Sequence, residues 1–262
     1  MVLAPLLWSS AGVVTRHIER AQPFEQVFWR SLFAFGFVAI SLLLTNKGMV
    51  RSLRAAGRAG LFSGAMWAVM FTAFVIALSL TTTANALVTM SISPLLTVLF
   101  ARVALTDPVP LRTWIAAAMT AVGIVWMFSS SMDDAGHVAG MLVAFAIPVA
   151  SALNVVVLRA RAAQVDLIPA VMLGGALSCL IALPLALPFS ASPKDVFLLA
   201  LLGMFQLGLP CMLLVMASRA LLAPELALLG LLEVVLAALI GNELAAFRRI
   251  MQAKLSVTRI SG

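Results

Sequence analysis

Five polar side chains interrupt long apolar stretches of the sequence, and each of them needs a partner there. Glu233 stands among aliphatic residues, so its carboxyl group must pair, lie in water or be protonated. Its open roles are a proton site, a partner for a substrate amine, and a buried structural hydrogen bond. The other four are Asn85, Thr89, Asn154 and Gln206. Such groups either bridge helices or line a wet cavity, and the residues alone leave both roles open.

One face of a second apolar stretch is mainly aromatic. Residues at helical spacing on this face are Gly64, Trp67, Phe71 and Phe74. An aromatic wall suits an apolar or aromatic substrate and also attracts a cation. Packing or lipid-facing aromatics follow the same spacing, so these residues are candidates for a binding site and no more.

Arg30 has two interpretations. It binds a substrate carboxylate, or it anchors the start of a helix at the membrane interface by extending towards water. Its place near the start of an apolar stretch favours the anchor.

The composition places these residues in a membrane. Hydrophobic residues make up 63% of the chain, charged residues 10%, and the mean hydropathy is +1.12, whereas soluble domains carry about 25% charged residues. Spans of about 20 apolar residues cross a bilayer, and they must be helical because unpaired backbone in lipid is costly. The pattern predicts nine spans within one transmembrane domain, 1–262: 2–15, 26–45, 58–79, 83–104, 111–130, 136–158, 167–189, 195–217 and 222–241.

Basic residues divide unevenly between the two sets of connections. One set carries nine: Lys47, Arg51, Arg54, Arg58, Arg102, Arg112, Arg159, Arg161 and Arg219. The other carries four before residue 242: Arg16, Arg20, Arg30 and Lys194. The positive-inside rule then predicts a multi-pass inner (plasma) membrane protein with its N-terminus in the cytoplasm. These dispersed charges account for the net charge of +7, so no nucleic-acid partner is expected.

Two stretches of sequence, 77–101 and 217–241, resemble each other at an offset of 140 positions. They predict two repeats, one over 1–132 with spans 1–5 and one over 133–262 with spans 6–9 and a basic C-terminal tail. An odd number of crossings per repeat inverts the second copy, which is typical of alternating-access transporters.

The basic tail departs from this pattern. The counterpart of the fifth span would fall at about 251–270, but Arg248, Arg249, Lys254 and Arg259 occupy this region. A charge at the centre of a span costs about 2.5–3.5 kcal/mol. The tenth helix is therefore predicted to be absent or atypical.

Four motifs, in order, make the chain similar to the drug/metabolite transporter superfamily, in its EamA-type branch, and to YddG-like amino-acid exporters. They are Leu7-Trp8-Ser9-Ser10; Pro23-Phe24 through Phe28-Trp29-Arg30-Ser31-Leu32; Ala77-Leu78-Ser79 leading to Ser93-Pro94-Leu95-Leu96; and Thr120-Ala121-Val122-Gly123-Ile124. The resemblance runs to about residue 243. The family usually has Gly-Glu after spans four and nine. Here Asp107 stands in after span four, and span nine keeps a version of the motif in Gly241-Asn242-Glu243.

The resemblance implies an all-α integral membrane protein with two inverted repeats of five helices around a central cavity. Spans 3, 4, 8 and 9 would surround the cavity, with spans 1 and 6 beside them, which adds Trp8 to the candidates above. Pro94 and Pro210 lie in cavity-forming spans, where a proline frees a backbone carbonyl, and are predicted hinges.

The predicted function is a secondary transporter that exports small organic metabolites, with aromatic or other neutral amino acids as the leading class. An antiporter of phosphorylated sugars or nucleotide sugars is the alternative, but it would need several cavity cations, and spans 3, 4, 8 and 9 offer none in their interiors. An integral membrane enzyme is disfavoured because only Asp133, Asp134 and His137 cluster. No cofactor and no metal site is expected. The partners are a small-molecule substrate and the bilayer; the sequence leaves the oligomeric state open and is compatible with a monomer.

Overall fold

The regular structure of the chain is helical throughout the residues that the computed structural model describes. These are 3–10, 14–15, 17–45, 49–104, 111, 114–115, 118–119, 122, 135–230, 232–233 and 236. The helices are α1 (Leu3–Ser9), α2 (Pro23–Leu44), α3 (Met49–Leu80), α4 (Thr83–Met90), α5 (Ser93–Ala104), α6 (Ala135–Arg161), α7 (Ile168–Ala186), α8 (Pro193–Leu201), α9 (Leu209–Ala217) and α10 (Ala223–Gly230). A π-helical segment, Leu202–Gly208, joins α8 to α9.

Six helical stretches are long and apolar enough to cross a membrane. They are Pro23–Leu44, Val50–Leu80, Asn85–Ala104, Val138–Arg161, Ile168–Ala186 and Pro193–Ala217. They correspond to predicted spans 2, 3, 4, 6, 7 and 8. Most of span 5, parts of spans 1 and 9, and all of the basic tail lie outside the described residues; the tail includes Arg248, Arg249, Lys254 and Arg259. Together the six helices make this a multi-pass membrane protein.

Local sequence explains where several helices begin. Pro23 opens α2, and proline suits a first helical turn because the backbone N–H it lacks would have no partner there. At α8, Ser192 and Asp195 form a capping box in which each side chain accepts a hydrogen bond from the backbone N–H of the other. At α4, the Thr82 hydroxyl accepts from the backbone N–H of Asn85.

Two predicted spans are interrupted, and a third is preceded by a break. Gly57, with φ +53°, breaks α3. Residues 49–56, which the sequence predicts as a loop, therefore form a helical segment that is separate from the span after it. Span 4 divides into α4 and α5 just before Pro94, which cannot donate to the carbonyl of Met90. Span 8 contains the π segment, and Pro210 lies in the first turn of α9 directly after it.

Small residues let the long helices pack closely. A Cβ at Gly203 would lie 2.5 Å from the backbone oxygen of Arg30, and one at Gly175 would lie 3.0 Å from that of Ser31. A Cβ at Gly174 would meet the Cβ of Trp67. These three glycines therefore permit close contact between helices.

Two buried carboxylates join the connection before α2 to the connection between α7 and α8. Glu25 accepts hydrogen bonds from the backbone N–H groups of Ser190, at 3.0 Å, and Ala191, at 2.8 Å. Asp195 accepts from the backbone N–H groups of Glu19, at 3.0 Å, and Arg20, at 3.1 Å. Because each carboxylate satisfies several donors of another connection, these two connections form one hydrogen-bonded end of the bundle, which we call the α2–α8 end.

Candidate functional site

A cavity that is partly open to solvent lies between helices of both predicted repeats. Its walls come from α1, α2, α3, α4, α5, α6, the π segment, α9 and α10, and from Glu233 beyond α10. None of the described cavity residues belongs to α7, which packs behind α2 and α3.

Aromatic side chains of α3 form one wall of the cavity. Trp67 and Phe71 are 3% and 4% exposed, and their ring centroids lie 5.6 Å apart. Phe74 continues this wall, and Trp8 of α1 also lines the cavity. The helical spacing read from the sequence therefore places Trp67, Phe71 and Phe74 at one cavity, where flat rings can contact an apolar or aromatic ligand.

Arg30 lies inside this cavity and is 4% exposed. Its Nη2 donates to Oε1 of Gln206 at 3.0 Å, and its guanidinium carbon lies 5.6 Å from the ring centroid of Phe74. A side chain that anchors a helix at the interface would extend into water, so the anchor interpretation of Arg30 is wrong. The α2 helix begins at Pro23, which puts Arg30 two turns into the span, facing the protein interior.

Glu233 supplies an acid to the same cavity. Its side chain is partly exposed, and no ion pair joins it to a described cation. The cavity therefore combines one described basic side chain, Arg30, with one described acidic side chain, Glu233, in otherwise apolar surroundings.

Three buried polar atoms have no hydrogen-bond partner among the described residues. They are Nε of Arg30, Nε1 of Trp67 and Nδ2 of Asn154, and all three residues line the cavity. Leaving a buried polar group unpaired costs about 1–3 kcal/mol. Such atoms in one cavity indicate a place where a ligand or water completes the hydrogen bonding.

Other polar side chains bridge helices behind the cavity. Ser63 donates to Oδ1 of Asn154 at 2.6 Å and so joins α3 to α6. Ser178 of α7 is hydrogen-bonded to Ser31 of α2 and to Thr72 of α3, both at 2.9 Å. The two roles left open by the sequence are thus combined at Asn154, which bridges helices and also faces the cavity.

Three residues predicted for the site lie away from the cavity. Gly64 packs against α7, where an added Cβ would lie 2.8 Å from that of Leu173. Asn85 donates to the Thr81 hydroxyl at 3.2 Å, and the Thr89 hydroxyl donates to the carbonyl of Asn85 at 2.8 Å. Local hydrogen bonds along α4 thus satisfy the two polar residues, and close helix packing accounts for the glycine.

The remaining predicted site residues, Trp8, Asn154, Gln206 and Glu233, line the cavity with the aromatic wall. Sequence reasoning misplaced Arg30, and the signal that identifies it is the rule that an ionisable residue within a span is functional by default. It missed others because apolar or small residues carry no such signal: Met70, Met90, Ser93, Pro148, Ser151 and Cys211.

The predicted hinge residues lie at breaks in the helices. Pro94 is buried in the first turn of α5, after the break between α4 and α5. Pro210 follows the π segment, in which the N–H of Leu209 bonds the carbonyl of Met204, five residues earlier. Whether they act as hinges stays a prediction. The part of the chain that the structure describes contains no group of three or more potential metal ligands.

The first half of the chain, residues 1–129, matches the EamA-like transporter family. This match indicates a membrane transporter of small solutes rather than an enzyme. A solved crystal structure of a protein superposes with a TM-score of 0.71 at 20% sequence identity, over 90% of this chain and 84% of that chain. At that identity the likeness shows the fold alone. No curated protein matches the chain.

Proposed function

We propose that this EamA-like membrane transporter exports neutral amino acids, with aromatic ones preferred, across the inner membrane by alternating access. The observation that carries the proposal is the cavity, in which Arg30 and Glu233 supply opposite charges beside the wall of Trp67, Phe71 and Phe74. A zwitterion with an apolar side chain matches one cation, one anion and an aromatic surface. The motifs shared with YddG-like exporters support the same substrate class.

The contacts between helices support two inverted repeats of five spans. If each span is exchanged with the one five places later, several of these contacts map onto one another. The contact of α3 with α7 maps onto that of the π segment with α2, and the contact of α3 with α6 maps onto that of α9 with α1. The contact of α5 with α10 maps onto itself. A molecule built in this way can open on either side with equivalent contacts.

Charge distribution supports the orientation. The nine basic residues of one set of connections favour the cytoplasm, which places the α2–α8 end on the opposite side of the membrane. In that arrangement the hydrogen bonds of Glu25 and Asp195 lie on the outer side of the membrane.

Exchange of phosphorylated sugars is the weaker alternative. Arg30 is the single basic residue among the described cavity residues, and Glu233 would repel a phosphate. Arg30 belongs to span 2, so the absence of cations from the interiors of spans 3, 4, 8 and 9 does not extend to the whole cavity.

Uptake into liposomes tests the substrate class. Reconstituted protein should take up radiolabelled tryptophan and leucine but not glucose 6-phosphate. Phe71→Leu should lower tryptophan uptake about two- to tenfold, since an aromatic contact contributes roughly 0.5–1.5 kcal/mol. Phe205→Leu is the matched control, because Phe205 is 47% exposed and lies outside the cavity. Uptake of glucose 6-phosphate alone would contradict the proposal.

Glu233 is proposed to couple transport to protons or to bind the substrate amine. If it carries the proton, Glu233→Gln abolishes the pH dependence of uptake and leaves downhill exchange intact, because glutamine hydrogen-bonds but does not titrate. The measurement is uptake against external pH with and without a proton gradient. An unchanged pH profile in the variant rules out the coupling role.

A further inference from the structure

We propose that Nε of Arg30, Nε1 of Trp67 and Nδ2 of Asn154 form an oxyanion subsite that takes the carboxylate of the transported substrate. This inference rests on the proposed transport function and goes further by assigning the atoms that recognise one end of the substrate. It starts from the three unpaired buried atoms, whose residues all line one cavity.

The three atoms share one property: each is a nitrogen that donates a hydrogen bond and does not accept one. Guanidinium, indole and amide N–H groups all require an acceptor. Their counterpart must therefore be rich in lone pairs, and a carboxylate offers about four acceptor positions on two oxygens. An ammonium group or an apolar ring would leave all three donors unpaired.

The charge on Arg30 selects an anion over a neutral acceptor. Hydrogen bonds between a guanidinium and a carboxylate are roughly twice as strong as those between neutral groups. Glu233 in the same cavity disfavours a doubly charged phosphate and suits a substrate whose other end is positive. A carboxylate is therefore the anion that this cavity fits best.

Each donor is already held in place by another contact. Gln206 and Phe74 fix the guanidinium of Arg30, Phe71 packs on the ring of Trp67, and Ser63 holds the amide of Asn154. Side chains held in this way lose little further freedom when a ligand binds, which favours affinity.

The donors belong to different helices of the two repeats. Arg30 is on α2 and Trp67 on α3, both in the first repeat, whereas Asn154 is on α6 in the second. A carboxylate bound by all three would connect the two halves directly. Substrate binding is thereby coupled to the relative position of the halves.

A ligand panel tests the subsite through equilibrium binding, independently of transport. The full chain, in detergent or nanodiscs, is titrated with tryptophan, tryptamine, indole-3-propionate and glucose 6-phosphate. Tryptamine lacks the carboxylate and indole-3-propionate lacks the amine. We expect tryptophan and indole-3-propionate to bind, with tryptamine at least about tenfold weaker than tryptophan, since hydrogen bonds to a charged group are lost.

Single substitutions test which side chains donate hydrogen bonds to the carboxylate. Trp67→Phe keeps an aromatic ring but removes the donor, and should weaken tryptophan and indole-3-propionate about three- to tenfold while leaving tryptamine unchanged. Arg30→Lys retains charge and should weaken the same two ligands. Trp29→Phe is the matched control, because the indole N–H of Trp29 already donates to Glu25 and Trp29 does not line the cavity.

Several outcomes would overturn the subsite. If tryptamine binds as tightly as tryptophan, the carboxylate of the substrate does not contribute to binding. A Trp67→Phe variant that weakens all ligands equally shows packing instead of hydrogen bonding. These results leave transport of other solutes intact. If only glucose 6-phosphate binds, the subsite recognises a phosphate group and the carboxylate proposal is wrong. If the wild-type chain binds none of the four ligands, both the subsite and the proposed function are contradicted. If a variant fails to fold, binding of the four ligands to the wild-type chain still tests the carboxylate subsite.

Discussion

At the scale of single residues, the backbone around Arg30 depends on a glycine in the opposite half of the chain. Gly203 of the π segment lies against the carbonyl of Arg30, the Cβ of Phe33 and the backbone of Ala34. A side chain at this position would push the two helices apart, and with them the guanidinium that faces the cavity. Gly36, farther along α2, has open space around it.

The pair Gly203→Ala and Gly36→Ala tests this packing. The Cβ at 203 would lie 2.5 Å from backbone oxygen, so Gly203→Ala should destabilise the fold by about 1–3 kcal/mol and lower the thermal unfolding midpoint. Gly36→Ala meets no atom within 4 Å and should be neutral or stabilising by up to roughly 1 kcal/mol, because alanine favours helix. Equal midpoints for the two variants would contradict the packing argument.

At the scale of elements, two of the cavity-forming spans are broken near the cavity. The break between α4 and α5 precedes Pro94, and the π segment precedes Pro210. In each case the proline removes the backbone N–H that would bond the residue four places earlier. Met90 and Gln206, whose carbonyls lose that bond, both line the cavity. Bulges of this kind are common at functional sites, where they redirect side chains.

Pro210→Ala tests whether the π segment acts as a hinge. Alanine restores the N–H at this position, so the segment can return to regular α-helix and bend less easily. We expect transport to slow severalfold while the affinity for tryptophan measured at equilibrium changes little. Pro184→Ala is the control, because Pro184 lies inside α7 and is exposed. Equal transport rates for wild type and Pro210→Ala would exclude the hinge.

At the scale of the whole molecule, the α2–α8 end joins the two halves of the chain. The hydroxyl of Ser190 donates to the carbonyl of Arg20 at 3.0 Å and to Oε2 of Glu25 at 2.9 Å. Alternating access requires these bonds to break when the cavity opens on this side. In the proposed transport cycle, this hydrogen-bonded end therefore acts as a gate.

Cross-linking tests the gate. In a background with Cys179→Ala and Cys211→Ala, Arg20→Cys with Ser190→Cys should be joined by a short thiol-reactive cross-linker. The link should stop uptake and leave tryptophan binding intact, because the cavity is held but cannot open at this end. Reversal by a reductant-cleavable linker checks specificity.

The control pair is Arg161→Cys with Gln164→Cys. These side chains are hydrogen-bonded at 2.8 Å within the single connection between α6 and α7. A link inside one connection does not join the two repeats and should leave uptake unchanged. Continued uptake with the Arg20–Ser190 link in place would show that this end does not open during transport.

The sequence by itself determined the apolar helices, the site's aromatic wall and its acid. Hydrophobic length is a local property, which is why the six described helices agree with predicted spans 2, 3, 4, 6, 7 and 8. Helical spacing is also local, and it placed Trp67, Phe71 and Phe74 on one face. Glu233 was evident because a carboxyl group among aliphatic neighbours is costly wherever it lies.

The tertiary structure decided which polar residues meet. Asn85 and Thr89 look like Asn154 and Gln206 in sequence, yet the first pair bonds along its own helix while the second pair faces the cavity. Arg30 resembled an interfacial anchor until Gln206, 176 positions away, was found hydrogen-bonded to it. The direction in which a side chain points depends on how helices rotate against each other, and that rotation is fixed by packing between distant segments such as Gly203 and α2.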